Sequence, residues 1–443
     1  MLSRELYENY NAILHEELVP AMGCTEPIAI AYAAAKARAS LGEELTGLRV
    51  SCSGNIIKNV KGVVVPNSGG QKGIEAAAIL GAVGGDDSKE LEVIANADDN
   101  ARAITKKLAA QEFCTVSLAE DVPNLFIEVE AIGKTHKSLV RIENNHTNIT
   151  LIKSDEKIIY ENSSSSDNDE TKANQDKEEK KESHANKNLM KLSTIIDYAN
   201  ELKISDVKEL LDRQIEYNSR ISQEGLDNKW GARVGKTILE NWGNDVRACA
   251  CARAAAGSDA RMSGCPLPVI INSGSGNQGI TVTMPVIQYS ESWHLSREKL
   301  YRALAVSNLV SVYIKHYIGS LSAFCGAVSA AAGAGAAITY MAGGDYASIG
   351  RTITNTLANV GGIVCDGAKP SCAAKIASSV HAALLAHYMS MSDKEFKGGE
   401  GFVEDDPEET IKNMGYIGKI GMKETDKEIL NVMINRVDVD SCL

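Results

Sequence analysis

A cysteine near the start of the chain stands where a thiol could do chemistry. Cys24 lies between Gly23 and a polar Thr-Glu-Pro turn, just before the uncharged run 28–35. This setting predicts a thiol at a helix N-terminus, where unpaired backbone N–H groups and the helix dipole favour the thiolate. Such a thiol can be a metal ligand or a nucleophile. The alternative is a small buried apolar side chain, which is the commoner fate of a lone cysteine.

Two more cysteines share this setting. Cys325 stands at the head of an uncharged helical stretch, and Cys365 precedes a turn that opens a helix over 372–390. A single metal site that binds all three thiols explains their shared setting better than three independently buried cysteines do. The sequence contains no CxxC pair, so it gives no support to a zinc ribbon or a ferredoxin-type run. Cys372 lies seven residues beyond Cys365, which corresponds to about two helical turns or about 10 Å. At that distance Cys372 can lie near a metal cluster but cannot easily share an iron edge with Cys365. We expect the remaining cysteines to be structural: Cys52, Cys114, Cys249, Cys251, Cys265 and Cys442.

A glycine-rich loop is the second candidate for chemistry. Gly274-Ser275-Gly276-Asn277-Gln278-Gly279 matches the GxGxxG pattern, but a dinucleotide site requires a helix to begin there. Residues 280–285 alternate in polarity and reach a proline, which predicts a strand and argues against a dinucleotide. Together with Ser273, the loop can surround a small anion such as an α-carboxylate with N–H groups and hydroxyls. A tight hairpin that binds nothing is the alternative.

Polar residues of an early glycine-rich region are weaker candidates. Asn55 and Lys58 lie among glycines and short predicted strands, so solvated loop positions are the default interpretation. Lys58 stands out because a desolvated lysine can act as a base near neutral pH. The sequence contains no HExxH, GxSxG or Walker motif.

The elements around these residues predict an α+β fold. Residues 1–46 read as helices that carry the Cys24 turn, and 47–155 as a smaller α+β module. Residues 156–190 are rich in Ser, Asp, Glu and Lys and predict a disordered charged insertion, because they cannot bury enough surface to offset their ordering entropy. Residues 191–443 predict a mainly helical catalytic domain with buried helices rich in small residues.

Composition narrows the class of protein. The 443 residues carry a formal net charge of −12, which argues against nucleic acid or an anionic membrane as partner. Residues 1–17 lack a continuous apolar core, so we expect no secretory signal and a cytoplasmic protein with reduced cysteines. The uncharged run 317–344 is long enough to cross a bilayer but weakly apolar, and it predicts a buried helix instead. Oligomeric state stays open, a homo-oligomer included.

Five motifs in order along the chain resemble the iron–sulfur L-cysteine desulfidase family, which is related to the iron–sulfur L-serine dehydratases. The likeness covers nearly the whole chain except the charged stretch around 155–190. The motifs are Gly23-Cys24-Thr25-Glu26-Pro27, Gly54-Asn55-Ile56-Ile57-Lys58-Asn59-Val60, Ser273-Gly274-Ser275-Gly276-Asn277-Gln278-Gly279, Ser322-Ala323-Phe324-Cys325-Gly326-Ala327 and Cys365-Asp366-Gly367-Ala368-Lys369.

The resemblance implies a [4Fe-4S] cluster held by Cys24, Cys325 and Cys365, without pyridoxal phosphate. Three ligands leave one iron open as a Lewis acid toward the sulfur of L-cysteine. The implied reaction is α,β-elimination to hydrogen sulfide, pyruvate and ammonium.

Further site residues follow from the same motifs. Lys58 is the first candidate for the base that removes the Cα proton, with Lys369 and Glu26 as reserves. The expected substrate-binding residues are Thr25, Asn55, Ser273, Gly274, Ser275, Gly276, Asn277 and Gln278.

Three alternatives remain open from the sequence. L-Serine or L-threonine dehydration would use a hydroxyl in place of the thiol at the same iron. An iron–sulfur redox sensor is the non-enzyme alternative, although such a regulator would ordinarily carry a basic face. A nucleotide-binding module on the glycine loop would be insensitive to oxygen.

Overall fold

A computed structural model describes residues 2–162, 185–319 and 322–437. The described residues form an α+β fold, as predicted, with many more helical residues than strand residues. The strands are β1 (Pro20–Met22), β2 (Gly47–Cys52), β3 (Cys114–Leu118), β4 (Phe126–Ile132), β5 (Lys137–Glu143), β6 (Ile149–Ser154), β7 (Lys157–Glu161) and β8 (Pro268–Ile270). The helices are α1 (Arg4–Glu17), α2 (Thr25–Leu41), α3 (Gly54–Val60), α4 (Gly73–Gly84), α5 (Asp99–Ala109), α6 (Leu192–Glu201), α7 (Ile204–Asp227), α8 (Val234–Trp242), α9 (Val246–Met262), α10 (Gly276–Ser292), α11 (Arg297–Ile318), α12 (Gly326–Met341), α13 (Tyr346–Val360), α14 (Cys372–Met391), α15 (Pro407–Tyr416) and α16 (Lys423–Met433).

Six strands form the sheet of the smaller module, in the order β3-β2-β4-β5-β6-β7. Strands β2 and β3 are parallel, and the other neighbours are antiparallel. Buried and partly exposed residues alternate along the central strands, and helices α2 and α4 pack together beside them. This alternation is what a sheet with one covered face requires.

The predicted disordered insertion carries regular structure at both ends. Strand β7 occupies Lys157–Glu161 and pairs with β6, and Lys187–Leu189 forms a 3-10 turn. The strand forms because Ile158, Ile159 and Tyr160 favour extended backbone beside an unpaired sheet edge. Residues 163–184 of that insertion lie outside the described part of the chain.

Helices α9 to α14 make the core of the larger unit. Small residues allow close approach there: a Cβ at Gly333 of α12 would lie 2.4 Å from the backbone oxygen of Ser307 in α11. The uncharged run that predicted a buried helix supplies α12, whose residues are almost all inaccessible to solvent. No helix among the described residues combines the length and the apolar character needed to cross a bilayer.

A two-stranded ladder connects the N-terminal segment to the helical core. Strand β1 pairs antiparallel with β8, with Ala21 opposite Val269. Because Cys24 follows β1 and the glycine-rich loop follows β8, this ladder brings two of the predicted motifs side by side.

The strand predicted over residues 280–285 is wrong. These residues belong to α10, which begins at Gly276 and contains Pro285. The helix is buried on almost every side, so its sequence lacks the amphipathic period that would have identified it. The hydroxyls of Thr281 and Thr283 donate to the backbone oxygens of Asn277 (2.7 Å) and Gly279 (2.6 Å), which suits β-branched residues to this helix.

Candidate active site

One cavity of about 780 Å³ brings most of the predicted site residues together. It lies between the Cys24 turn, helix α3, the glycine-rich loop and the starts of α12 and α14. Among the predicted residues, Thr25, Gly276 and Lys369 are not in its wall. Those that line it are Cys24, Glu26, Asn55, Lys58, Ser273, Gly274, Ser275, Asn277, Gln278, Cys325 and Cys365.

Cys24 is the N-cap of α2, as its sequence context predicted. Its side chain is buried, and Sγ donates a hydrogen bond to Oε2 of Glu26 (3.0 Å). Burial and the neighbouring Glu26 carboxylate raise the pKa of Cys24 well above its ordinary value, against the opposing charge of Arg261. Without a bound metal, Cys24 therefore favours the thiol over the thiolate expected at a helix N-terminus, because the cost of desolvating the charge outweighs the effect of the helix dipole. A bound cation would reverse that balance.

Cys325 and Cys365 are held side by side by backbone pairing. Phe324 and Val364 form an antiparallel bridge, and the N–H of Cys325 donates to the oxygen of Ile363 (3.0 Å). Burial and the neighbouring Cys365 raise the pKa of Cys325 to about 12. Two thiols from segments forty residues apart thus face one cavity.

The helix-start setting fits two of the three predicted ligands. Cys325 is the N-cap of α12, whereas Cys365 lies in the turn ahead of α14, and Cys372 is the residue that begins that helix. Cys372 also lines the cavity and packs against the small cluster formed by Cys24, Val63 and Met262. Within the described ranges, no three His, Cys, Asp or Glu side chains form a group that could hold a single metal ion.

Lys58 is buried rather than solvated, which corrects the expectation from its sequence context. Residues Gly54–Val60 form helix α3, and both Asn55 and Lys58 are buried in it. The Lys58 ammonium forms an ion pair with the carboxylate of Asp426 in α16, and the two side chains are 2% and 18% exposed. The loop interpretation failed because short helices carry little periodicity and because α16, the covering helix, lies far away in sequence.

The two reserve candidates for the base are both engaged. Glu26 accepts hydrogen bonds from Cys24, from Oγ1 of Thr25 (3.1 Å) and from Nδ2 of Asn59 (3.1 Å). Lys369 forms an ion pair with Asp366 outside the cavity wall. Although burial opposes the shift, hydrogen bonds from Lys369 and Lys375 lower the pKa of Asp366 to about 2.

The glycine-rich loop adopts an unusual backbone at the entrance to α10. Ser273 and Gly274 have φ angles of 49° and 74°, in the left-handed region, and Ser275 is the N-cap of the helix. Thr25 holds the loop from outside, because its Oγ1 donates to the oxygen of Gly274 (3.1 Å). The Ser275 side chain accepts from the N–H of Gln278 (3.5 Å), so the N–H groups of Gly276 and Asn277 are the ones left without intrahelical partners beside the cavity.

Several buried polar atoms in the cavity wall have no hydrogen-bond partner within the described chain. Leaving such atoms unpaired costs about 1–3 kcal/mol each, so a polar ligand would gain from meeting them. The atoms are Asn55 Oδ1, His146 Nε2, Arg261 Nε, Asn277 Oδ1 and Gln278 Oε1.

Three residues of the cavity wall were not found from the sequence. His146 comes from the turn between β5 and β6, and burial lowers its pKa below the ordinary value. Arg261 is the penultimate residue of α9. Lys315 lies in α11, where burial lowers its pKa to about 8 against the opposing effects of Cys365 and Cys325. None of the three carries a spacing signal, because each depends on a different element folding over the cavity.

The donor set suits an iron–sulfur group wider than one ion. Thiols from Cys24, Cys325 and Cys365 enter the cavity from separate segments, so each could bind a different iron. The buried cation of Lys315, which lies near Cys325 and Cys365, would offset the negative charge of thiolate ligands.

Comparison with known proteins identifies the family. The family model described as serine dehydratase alpha chain matches residues 88–431. Over 430 residues, the chain is 49% identical to the UPF0597 protein of Lachnoclostridium phytofermentans, covering 97% of this chain and 100% of the relative. It is 49% identical over 430 residues to a UPF0597 protein of Desulfitobacterium hafniense and 47% identical over 430 residues to the one of Finegoldia magna. These alignments cover 97% of this chain in both cases, and 97% and 100% of the relatives. The chain belongs to the serine dehydratase alpha chain family and, within the proteins compared, groups with the UPF0597 proteins.

Proposed function

We propose that this protein is an iron–sulfur L-cysteine desulfidase, which releases hydrogen sulfide, pyruvate and ammonium by α,β-elimination. The family name supports the reaction class, because a serine dehydratase removes a β-substituent and the α-proton from an amino acid. The observation that carries the proposal is the shared cavity, which collects three thiols and several unpaired polar atoms. The five desulfidase-like motifs support L-cysteine as substrate.

A [4Fe-4S] cluster would be held by Cys24, Cys325 and Cys365. When bound, it supplies a Lewis-acidic iron that stabilises the negative charge developing on the leaving sulfur. Metal binding removes the thiol protons that burial otherwise retains, so loading of the cluster should release protons. Cys372 lies close enough to the same region to influence the cluster without being required as a ligand.

The chain's own residues orient the substrate. The loop Ser273–Gly279 offers N–H groups and hydroxyls to the α-carboxylate, and the amides of Asn55, Asn277 and Gln278 offer oxygen acceptors to the α-ammonium. These contacts fix Cα and the β-sulfur relative to the thiol-lined wall. Orientation of this kind lowers the activation free energy, because the substrate loses its translational and rotational entropy on binding, before the reaction begins.

The proton at Cα needs an acceptor that is neutral and unpaired. Lys58 is paired with Asp426, Lys369 with Asp366, and Glu26 accepts three hydrogen bonds. His146 meets both conditions, since its Nε2 is buried with no partner among the described residues and its lowered pKa favours the neutral ring. We therefore add His146 to the candidates and place it ahead of Lys58, which serves as a fixed ammonium.

L-Serine dehydration is the second candidate, favoured by the printed name of the family. The two are separated by anaerobically purified protein given L-cysteine, L-serine or L-threonine, with sulfide and pyruvate measured in parallel. We expect kcat/KM for L-cysteine to exceed that for L-serine by at least about tenfold, or about 1.4 kcal/mol in the barrier. Pyruvate from L-serine at an equal or higher kcat/KM would replace the desulfidase with a dehydratase. A loaded cluster with no product from any of the three would favour the redox sensor.

A further inference from the structure

Arg261 is a buried cation that has no partner in the part of the chain that the structure describes. Its side chain is 2% exposed at the end of α9, and within the described residues it forms neither an ion pair nor a side-chain hydrogen bond. Its Nε is among the unpaired atoms of the cavity wall. A buried guanidinium without a counter-charge is strongly unfavourable, so its retention points to an anion that binds beside it.

The position of Arg261 identifies what kind of anion fits. A Cβ placed on Gly276 would lie 2.3 Å from the Arg261 Nε, so the guanidinium lies directly against the first residue of α10. The N–H groups of Gly276 and Asn277, which have no intrahelical partner, and the positive end of the helix dipole are thus adjacent to the arginine. Two independent donors therefore converge on one small volume.

The electrostatic neighbours place the guanidinium inside the cavity. Its positive charge acts to lower the pKa of the Cys24 thiol and of the His146 ring, so the guanidinium lies close to both. Asn277 and Gln278, at the start of α10, contribute unpaired buried oxygens next to the same spot. An anion alone would not use these oxygens, but a carboxylate that carries an ammonium on the adjacent carbon would.

We infer that Arg261 and the N-terminus of α10 together bind the α-carboxylate of an amino acid substrate. The guanidinium offers two parallel N–H donors to the two carboxylate oxygens, and the helix N–H groups approach from the other side. This inference rests on the proposed function for the identity of the ligand as an amino acid, and it adds the residue that recognises it. Arg261 acts as a substrate-binding residue and takes no part in moving the proton.

The test measures binding of an amino acid that cannot react. L-Alanine has no β-leaving group, and L-alaninamide is the same molecule without the carboxylate, so their affinities are compared by calorimetry on the full chain. We expect the wild-type protein to bind L-alanine at least about 100-fold more tightly than L-alaninamide. The Arg261→Met variant should bind both equally weakly, while Arg261→Lys should recover part of the difference.

A matched control and a stability measurement keep a folding defect distinct from a binding defect. Arg253 lies two turns earlier on α9 and is paired with Glu291 (2.6 Å), so Arg253→Met should leave the 100-fold preference intact. Since Arg261 is unpaired, Arg261→Met should unfold at the same temperature as the wild type or higher. A structural arginine would give the opposite result.

The outcomes separate this inference from the proposed function. A wild-type protein that prefers L-alanine but releases no sulfide or pyruvate would refute the proposed function and keep the carboxylate site. An Arg261→Met variant that retains the preference, or that unfolds well below the wild type, would overturn the inference. So would a wild-type protein that binds L-alanine no better than L-alaninamide.

Discussion

The ion pair between Lys58 and Asp426 allows a quantitative test of how α16 is held against α3. Lys58 is 2% exposed, and the described residues give its ammonium no acceptor other than the Asp426 carboxylate. Asp426→Asn replaces that charge with a neutral amide and leaves a buried cation. Removing one partner of a buried pair costs about 3–5 kcal/mol, and the partial exposure of Asp426 places the expected loss nearer about 2–4 kcal/mol. Urea unfolding of the full chain, followed by circular dichroism, measures the change.

An exposed ion pair on the same helix is the matched control. Glu424 and Lys427 are 73% and 58% exposed, so Glu424→Gln should cost no more than about 0.5 kcal/mol. The double variant Lys58→Met with Asp426→Leu removes both charges and should recover most of the stability that the single variant loses. If Asp426→Asn loses no more stability than Glu424→Gln, or if the double variant is no more stable than the single one, Lys58 does not depend on Asp426 for its burial.

The remaining predictions concern pH, catalysis and packing. Burial raises the pKa of Asp259 from 3.8 to about 6, so its carboxyl group binds a proton more tightly in the folded state than in the unfolded state. The contribution of Asp259 to the free energy of unfolding therefore falls as pH rises from about 4 to about 6. Asp259→Asn should therefore raise the free energy of unfolding by about 1–3 kcal/mol relative to the wild type at pH 8 but not at pH 3.5. Urea titrations measure the difference, and equal effects at both pH values would contradict the prediction. His146→Gln should lower kcat about 10²–10⁴-fold and abolish the acidic limb of the kcat/KM profile, whereas an unchanged limb would remove His146 as the base. Gly276→Ala should weaken L-alanine binding at least about tenfold, because the new Cβ displaces Arg261. Gly362→Ala should leave L-alanine binding unchanged, because a Cβ at this position would meet no described atom within 4 Å. Equal affinities of the two variants in calorimetry would argue against the contact between Gly276 and Arg261.

Much of the site could be predicted because it is built from motifs that are local in sequence. Cys24 and Cys325 lie at helix starts as expected, since a glycine neighbour and a following apolar run are local signals. The glycine-rich loop lines the same cavity as the thiols, and its role as a binding loop stays a prediction. The ladder between β1 and β8 that brings these motifs together has no such signal, because each of its strands is only three residues long.

What the sequence did not reveal depends on burial created by distant elements. Lys58 is withdrawn from water by α16, more than 360 residues later in the chain, and Arg261 by the start of α10. The helix α10 itself was taken for a strand because burial on every side removes the period that distinguishes the two. The protonation of Cys24 was also unexpected, because a helix dipole is visible in sequence whereas the cost of desolvation is not.

The proposed function requires the thiols of three separate segments to hold one cluster. The most direct test is anaerobic reconstitution with iron and sulfide, followed by iron and acid-labile sulfide analysis and sulfide-release assays. We predict about four irons per wild-type chain, the content of a [4Fe-4S] cluster. Each of Cys24→Ala, Cys325→Ala and Cys365→Ala should lose the visible chromophore and sulfide release together, while Cys251→Ala keeps both. A wild-type protein that is colourless yet releases sulfide at full rate would contradict the account.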